Sequence, residues 1–568
     1  MLSTKWSKSI DRENPLPEYP RPQFVRDSYI SLNGTWNYTI KKNSSMPVTG
    51  FPGRITVPFS PETELSGVCR VIMPDDYLFY QKSFTLPEGF NKGRVFINFG
   101  AVDQVANVYL NGKFVGKHVG GYTPFKFELT PYLAAEGEEN SLVVCVNDYS
   151  DTKSYSRGKQ KMKRGGIWYS PQSGIWQSVW LESTPVQFLE SVRITPDYDN
   201  AQVKFEYTGT DDVRVIIYDG KTEVANTKDH VVKLPGFRAW SPESPFLYQV
   251  DFRACGEVIK SYFGMRKFSV GVDENGVKRL FLNNKPYFHN GLLDQGYYSD
   301  GYLTPPSNEA MENDVLFAKT AGFNMLRKHI KIEPLLWYHY CDVHGILVWQ
   351  DMVNGGGEYG LEVSVIPFVG INLDDRNYRL FHRTDKAGRD MYYNELKETV
   401  DHLYNCPCIA MWVPFNEGWG QFDSAKAYKM IKELDKTRVV DTTSGWHDLG
   451  SSDVISKHIY FTPIHVKAGD KPYVLSEFGG FSMKVDGHTF NNKMFGYKIY
   501  RSKETLTKAY ARLYNNTIIP QIKDGLCAAV YTQLTDVEDE LNGLMTYDRK
   551  VIKIDMDTLR KINERVKL

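Results

Sequence analysis

From Gly271 to Leu568, short apolar runs alternate with amphipathic stretches of helical period, and this alternation narrows the possible folds more than any other feature of the chain. Eight runs read as strands: Tyr287–Leu293, Met325–Lys328, Leu347–Gln350, Ile409–Phe415, Val439–Thr443, Val454–Ile459, Tyr473–Ser476 and Leu526–Thr532. A strand that is apolar on both faces must be covered on both, and helices packed around a parallel sheet supply that cover. Between the first two runs, Ser307 is placed to cap a helix that gathers Met311, Val315 and Ala318 on one face and ends at Gly322. The next helix is predicted over Glu333–His344, stopped by Gly345. Eight strand–helix units in the 298 residues from 271 onward predict a (β/α)8 TIM barrel over 271–568.

Ahead of the barrel the grammar is strand and turn. Val95–Phe99, Ala106–Leu110 and Leu142–Val146 are apolar or alternating, and Asn111-Gly112 after the second is a strong hairpin signal. Residues 1–185 are therefore expected to form a jelly-roll β-sandwich. Further short strands, among them Val203–Tyr207, Val213–Tyr218 and Tyr248–Phe252, predict an immunoglobulin-like β-sandwich over 186–270.

In a barrel the reactive groups sit where strands end, because only that face gathers residues from all eight units. The fourth run leads through Trp412 into Asn416-Glu417-Gly418, and the seventh into Ser476-Glu477-Phe478-Gly479-Gly480. A single Glu after an apolar strand is ordinarily a capping or surface residue. Two in matched places supply what glycoside hydrolysis needs: one protonated carboxyl for the leaving oxygen and one carboxylate to meet the developing oxocarbenium ion. Carboxyl groups ~5–5.5 Å apart would mean retention of configuration, and ~6.5–9.5 Å inversion. Asn416 can hold a sugar hydroxyl, and Trp412 and Trp419 offer stacking faces.

Composition excludes several other classes. Lys+Arg and Asp+Glu are both 68, so neither nucleic acid nor an anionic membrane is expected as partner. No run approaches the ~18 apolar residues of a membrane helix, and Met1–Phe24 lacks a signal-peptide core. Seven cysteines at scattered spacing, with Cys406 and Cys408 split only by Pro407, suit reduced thiols and a cytoplasmic setting. No His-x-His or HExxH pattern occurs, so no metal and no cofactor is expected. The stretch Asn354-Gly355-Gly356-Gly357-Glu358-Tyr359-Gly360 is a candidate flexible lid.

The Asn416-Glu417-Gly418 and Ser476–Gly480 segments resemble the acid/base and nucleophile motifs of glycoside hydrolase family 2, which includes β-galactosidases, β-glucuronidases and β-mannosidases. The resemblance extends along most of the chain: Ser31–Trp36, Gly100–Asp103, Asn111-Gly112 and Gly120–Phe125 in the first segment, Trp240–Glu243, Leu247-Tyr248 and Phe263–Lys267 in the second, and Gly322–Arg327 in the barrel. It implies a retaining exo-β-glycosidase with Glu417 as acid/base, Glu477 as nucleophile, Arg327 orienting the nucleophile and Tyr460 donating to it. It also implies a carbohydrate substrate and a homo-oligomer. Asp294, Gln295, His329, Asp351, Trp446, His447, His458 and Gln533 follow or end barrel strands and are candidate sugar contacts.

β-Glucuronidases of the family hold the sugar carboxylate with an Asn and a Lys after the eighth strand. The matching segment here, Asp539-Glu540-Leu541-Asn542-Gly543, lacks the Lys, and the acidic run Asp536–Glu540 is expected to repel a uronate. β-Galactoside is therefore the first expectation, with β-glucuronide or β-mannoside on the same scaffold as alternatives. A non-catalytic carbohydrate-binding protein is the rival class.

Overall fold

The computed structural model of the protein describes residues 2–48, 50–358 and 360–568. In the N-terminal part a six-stranded and a four-stranded antiparallel sheet close on a core that includes Trp36, Leu78, Val108 and Leu142 from the first and Ile97, Phe99, Val179 and Leu181 from the second. This is the expected jelly-roll-type sandwich. Val105–Leu110 pairs with Lys113–Val119, Leu110 opposite Lys113, and both Asn111 (φ 51°) and Gly112 (φ 77°) are left-handed. That conformation matches the twist of the flanking strands, which is why Asn-Gly makes the turn. A three-stranded and a four-stranded sheet follow and enclose Val203, Phe205, Val215, Val250 and Phe252 as an immunoglobulin-like sandwich.

The barrel strands are His289–Asp294, Met325–Lys328, Leu347–Asp351, Ile409–Val413, Val439–Val440, Ile455–Ile459, Tyr473–Gly479 and Leu526–Thr532. They form one eight-stranded sheet in the order fifth, fourth, third, second, first, eighth, seventh, sixth, with each paired neighbour parallel. Of the strand ends that differ from expectation, two carry the glutamates. The fourth strand stops at Val413, so Glu417 stands on the loop beyond it, while the seventh runs on to Gly479, so Glu477 lies within it.

The helices start and stop largely as their cap residues dictate. Ser307 Oγ accepts from Ala310 N at 3.2 Å at the head of Asn308–Thr320, and Met311, Val315 and Ala318 are buried on it. The following helix is Leu335–His344, ended by Gly345 at φ 70°. It begins two residues later than predicted because Pro334 is extended and the Glu333 carboxylate is held by Lys328.

Strand periodicity decides what faces the mouth. In the parallel register Leu293 lies beside Arg327 and Asp294 beside Lys328. Successive side chains on a strand point to opposite faces, so Arg327 and Lys328 belong to different layers. Lys328 Nζ lies 4.1 Å from the ring of Trp337, on the outer helix Leu335–His344.

Candidate active site

Glu477 sits where the seventh strand is irregular: the register shifts between Leu475 and Phe478 on one side, and opposite Lys457/His458 on the other. Such a bulge re-aims a side chain without breaking the strand. Both carboxylate oxygens are held. Oε1 accepts from Arg327 Nη1 at 3.1 Å and Oε2 from the Tyr460 hydroxyl at 2.6 Å. Burial by itself would raise the pKa of Glu477, but the electrostatic pull of His458 and Arg327 outweighs it and brings the group down to about 2. The carboxylate is thus ionised across the neutral range.

Glu417 is carried by a strained turn. Its φ is 51° and that of Gly418 is 71°, and a Cβ on Gly418 would come within 2.8 Å of both His447 and Val363. Only glycine fits there, and a non-glycine residue in the left-handed region costs energy that functional turns commonly carry. Glu417 N donates to Ser444 O at 3.2 Å, and Trp419 N to Asn416 O at 2.9 Å, which fix the turn. His458 Nδ1 lies 2.7 Å from Glu417 Oε1 and 3.6 Å from Glu477 Oε2, so one imidazole spans the two carboxyl groups. A carboxylate oxygen of Glu417 and one of Glu477 lie within 4.8 Å of each other.

Arg327 is the hub. It is fully buried and forms a two-pronged pair with Asp351, both contacts at 3.0 Å. The remaining donors reach Glu477, Ser476 O at 3.0 Å and Asn416 Oδ1 at 2.8 Å. His329 lies beyond Asp351, with Nδ1 2.7 Å from Oδ2. Burial, with the charge of Lys159 adding to it, pushes the His329 pKa well below the ordinary value, so the ring is neutral and Nδ1–H is the donor. Tyr460 stacks on Tyr497, ring centroids 3.8 Å apart. Tyr497 was invisible to sequence reasoning because it lies outside any barrel strand.

Residues 276–568 match the family described as "Glycosyl hydrolases family 2, TIM barrel domain", residues 67–185 its "sugar binding domain", and residues 188–266 "Glycosyl hydrolases family 2". The chain belongs to glycosyl hydrolase family 2. It is 27 % identical over 460 residues to a beta-galactosidase of Thermoanaerobacter pseudethanolicus, covering 74 % of this chain and 56 % of that protein. It is 25 % identical over 485 residues to a beta-glucuronidase of Bacteroides fragilis, covering 79 % of this chain and 65 % of the relative. It therefore spans less than two thirds of either relative's length. Among solved structures, a beta-glucuronidase of an uncultured Clostridium superposes with a TM-score of 0.73 at 20 % identity, covering 94 % of this chain and 97 % of that one. A beta-galacturonidase of Eisenbergiella tayi bound to galacturonate gives 0.69 at 19 % identity, covering 95 % and 98 %. At these identities the likeness establishes the fold.

Within this family 2 barrel, several candidate sugar contacts turn out to have structural employment. Asp294 shares the outer layer with Lys328: Oδ2 accepts from Lys328 Nζ at 2.6 Å and Oδ1 from Gly296 N at 2.9 Å. His447 uses both nitrogens to hold the segment after the third strand, Nε2 to Val363 O at 2.8 Å and Nδ1 from Leu373 N at 3.1 Å. Gln533 is fully buried and donates to Asn542 Oδ1 at 2.6 Å. Trp412 is buried, with Nε1 on Asp435 Oδ2 at 2.9 Å, and so packs the outer layer instead of offering a stacking face. His458 contacts the acidic pair, Asp351 pairs with Arg327, and His329 with Asp351. Trp446 is half-buried near His447 in chain order. Gln295 is buried at the end of the first strand with neither amide atom hydrogen-bonded.

The candidate lid is pinned in part. Asn354 O accepts from the backbone N–H of both Arg157 and Gly158 at 3.0 Å, and Gly355 bridges Ser156. Tyr359, also assigned to it, lies outside the described residues. Glu417, His458 and Glu477 are the one group among the described residues with three metal-ligating side chains close together. A cation there would meet the Arg327 guanidinium, already 3.1 Å from Glu477 Oε1, so the donor set fits a hydrogen-bonded acid pair better than a metal.

The acidic run after the eighth strand is partly neutralised and largely hydrogen-bonded. Asp536 pairs with Lys553 at 2.6 Å, and Arg164 lies 3.1 Å from Glu538 and 3.0 Å from Asp539. Glu538 also accepts from Ser170 N, and Glu540 accepts from the Tyr169 hydroxyl and Asn542. Arg164, Tyr169 and Ser170 come from the N-terminal sandwich. The charge-repulsion part of the sequence-based argument against an anionic sugar is therefore weakened, for a reason no local pattern contains, while the absence of the Lys stands.

Proposed function

We propose that this chain is a retaining exo-β-glycosidase organised as domains 1–185, 186–270 and 271–568. Glu477 attacks the anomeric carbon while Glu417 gives a proton to the departing oxygen. Glu417, once deprotonated, then takes a proton from the water that releases the sugar. The observation that carries the reading is the acid pair at one mouth: two carboxyl groups with oxygens within 4.8 Å, one of them held as the anion by Arg327 and Tyr460. That spacing suits a nucleophile in contact with the sugar and leaves too little room for the water that inversion needs. Asn416 Oδ1 is fixed on Arg327, which leaves its amide donors for a sugar hydroxyl.

For the sugar, β-galactoside is the first reading on the relatives' names alone, several of which are beta-galactosidase. β-Glucuronide stands beside it, favoured by the partial neutralisation of the acidic run and by relatives named beta-glucuronidase. β-Mannoside has no observation in its favour.

Azide separates the two glutamates. Glu477→Gly should lower kcat on 4-nitrophenyl β-glycosides by roughly three orders of magnitude or more. Azide should restore part of it as the α-glycosyl azide, since the anion enters from the empty nucleophile face. Glu417→Gly should give the β-azide, formed on the glycosyl-enzyme. Unchanged turnover in Glu477→Gln, or the opposite anomers, would remove the assignment.

A further inference from the structure

The basic segment Ser156–Arg164 of the N-terminal sandwich is only partly explained by the site described so far. Arg164 pairs with Glu538 and Asp539. Arg157 donates through Nη1 to Gly356 O at 2.9 Å. Lys159, between them, is clamped by its backbone: Tyr169 N donates to its carbonyl at 3.0 Å, and the adjacent Gly158 N donates to Asn354 O. The residue is 6 % exposed and its side chain lies against aromatic faces, Nζ 5.1 Å from the ring of Trp419 and 5.7 Å from that of Tyr169. Trp419 is two residues beyond Glu417, and the charge of Lys159 acts on His329, Asp351 and Glu477.

Among the described residues this ammonium has no hydrogen-bonding or ion-pairing partner, and Nζ is not sealed from solvent. Other buried cations are held by a carboxylate or a carbonyl: Arg327 has Asp351 and Glu477, Lys328 has Asp294 and Glu333, Lys331 has Glu333, Lys553 has Asp536, and Arg157 has the Gly356 carbonyl. A charge taken nearly out of water without a partner is costly. Its position raises the cost during turnover, because the oxocarbenium-like transition state is itself positive and an unneutralised neighbour disfavours it. An anion arriving with the sugar removes both penalties.

We propose that Lys159 is the counter-ion for a carboxylate carried by the substrate's sugar, so that the enzyme takes a β-linked uronic acid and reads its charge from the N-terminal sandwich, across the mouth from the barrel loop. The inference rests on the glycosidase reading and concerns only the charge of the sugar; its galacto or gluco configuration is separate.

The test uses the full chain, as wild type, Lys159→Met and Lys159→Arg, on the 4-nitrophenyl β-D-glucuronide, galacturonide, glucoside and galactoside. The wild type should favour at least one uronide over the neutral sugar of the same configuration. Lys159→Met should lower that acid-to-neutral ratio of kcat/KM by ~10- to 100-fold, the range of a charge-assisted hydrogen bond, and Lys159→Arg should keep part of it. A wild type that prefers the neutral partner in both pairs overturns the proposal and leaves the glycosidase reading intact. A fall on acid and neutral substrates alike also overturns it. Turnover of none of the four counts against the glycosidase reading. The charge inference is then decided by calorimetric titration of D-glucuronate and D-galacturonate: binding weakened in Lys159→Met supports it, while equal or absent binding overturns it.

Discussion

Arg327 and Lys328 are consecutive residues of one strand, both cationic, both fully buried and each held by two carboxylates. Arg327 faces the barrel mouth and joins Asp351 to Glu477; Lys328 faces the helix layer and joins Asp294 to Glu333. The inner network needs geometry, since a planar fork can grip Asp351 with two bonds and still aim a third donor at Glu477. The outer one needs only a point charge, which lysine supplies. The contrast shows that burial and ion pairing do not by themselves mark a catalytic group; what matters is which side of the sheet the pair occupies.

Breaking each network in turn tests that distinction. Arg327→Met strands two buried carboxylates, so we expect a stability loss of roughly 3–5 kcal/mol and a fall in kcat of ~100-fold or more, read by urea denaturation and by turnover per folded molecule. Near-normal turnover in the folded fraction would place Arg327 in the scaffold alone. Lys328→Met should lose stability by a similar ~3–5 kcal/mol, while kcat per folded molecule stays within about threefold; a large kcat loss there would erase the contrast between the layers.

The smallest effect is in pH dependence. The folded pKa of Glu477, about 2, lies below the ~4.3 of an unfolded glutamate, so its ionised form adds stability that is complete above ~4.3 and fades as pH falls toward 2. The Tm gap between wild type and Glu477→Gln should therefore be narrower at about pH 3 than at about pH 6. A gap that stays constant or widens on acidification would mean that Arg327 and His458 do not hold the carboxylate as described.

Much of this molecule was legible one segment at a time. The apolar runs gave strands close to those observed, Ser307 and Gly345 bounded their helices, and Asn111-Gly112 made its turn, because these signals act over a few residues. Arg327 and Tyr460 do meet Glu477, and Asn416 meets Arg327. Two candidates with other partners share one cause. Asp294 and Trp412 sit on the right strands but on outward positions of the two-residue alternation, and strand membership was read without the register that assigns a side. His447 lies in a loop whose packing fills both ring nitrogens.

The sequence by itself determined the β-sandwich and barrel fold class and marked two glutamates as candidates, because hydrophobic period and a carboxylate near a strand end are local properties of the chain. Only the tertiary structure decided that one imidazole spans those glutamates, that Arg164 and Tyr169 meet the acidic run, and that Lys159 stands, among the described residues, without a hydrogen-bonding or ion-pairing partner. Those facts depend on docking the N-terminal sandwich against a barrel hundreds of residues away in the chain. Electrostatic partners are set by distance in space, and spacing along the sequence carries no record of it.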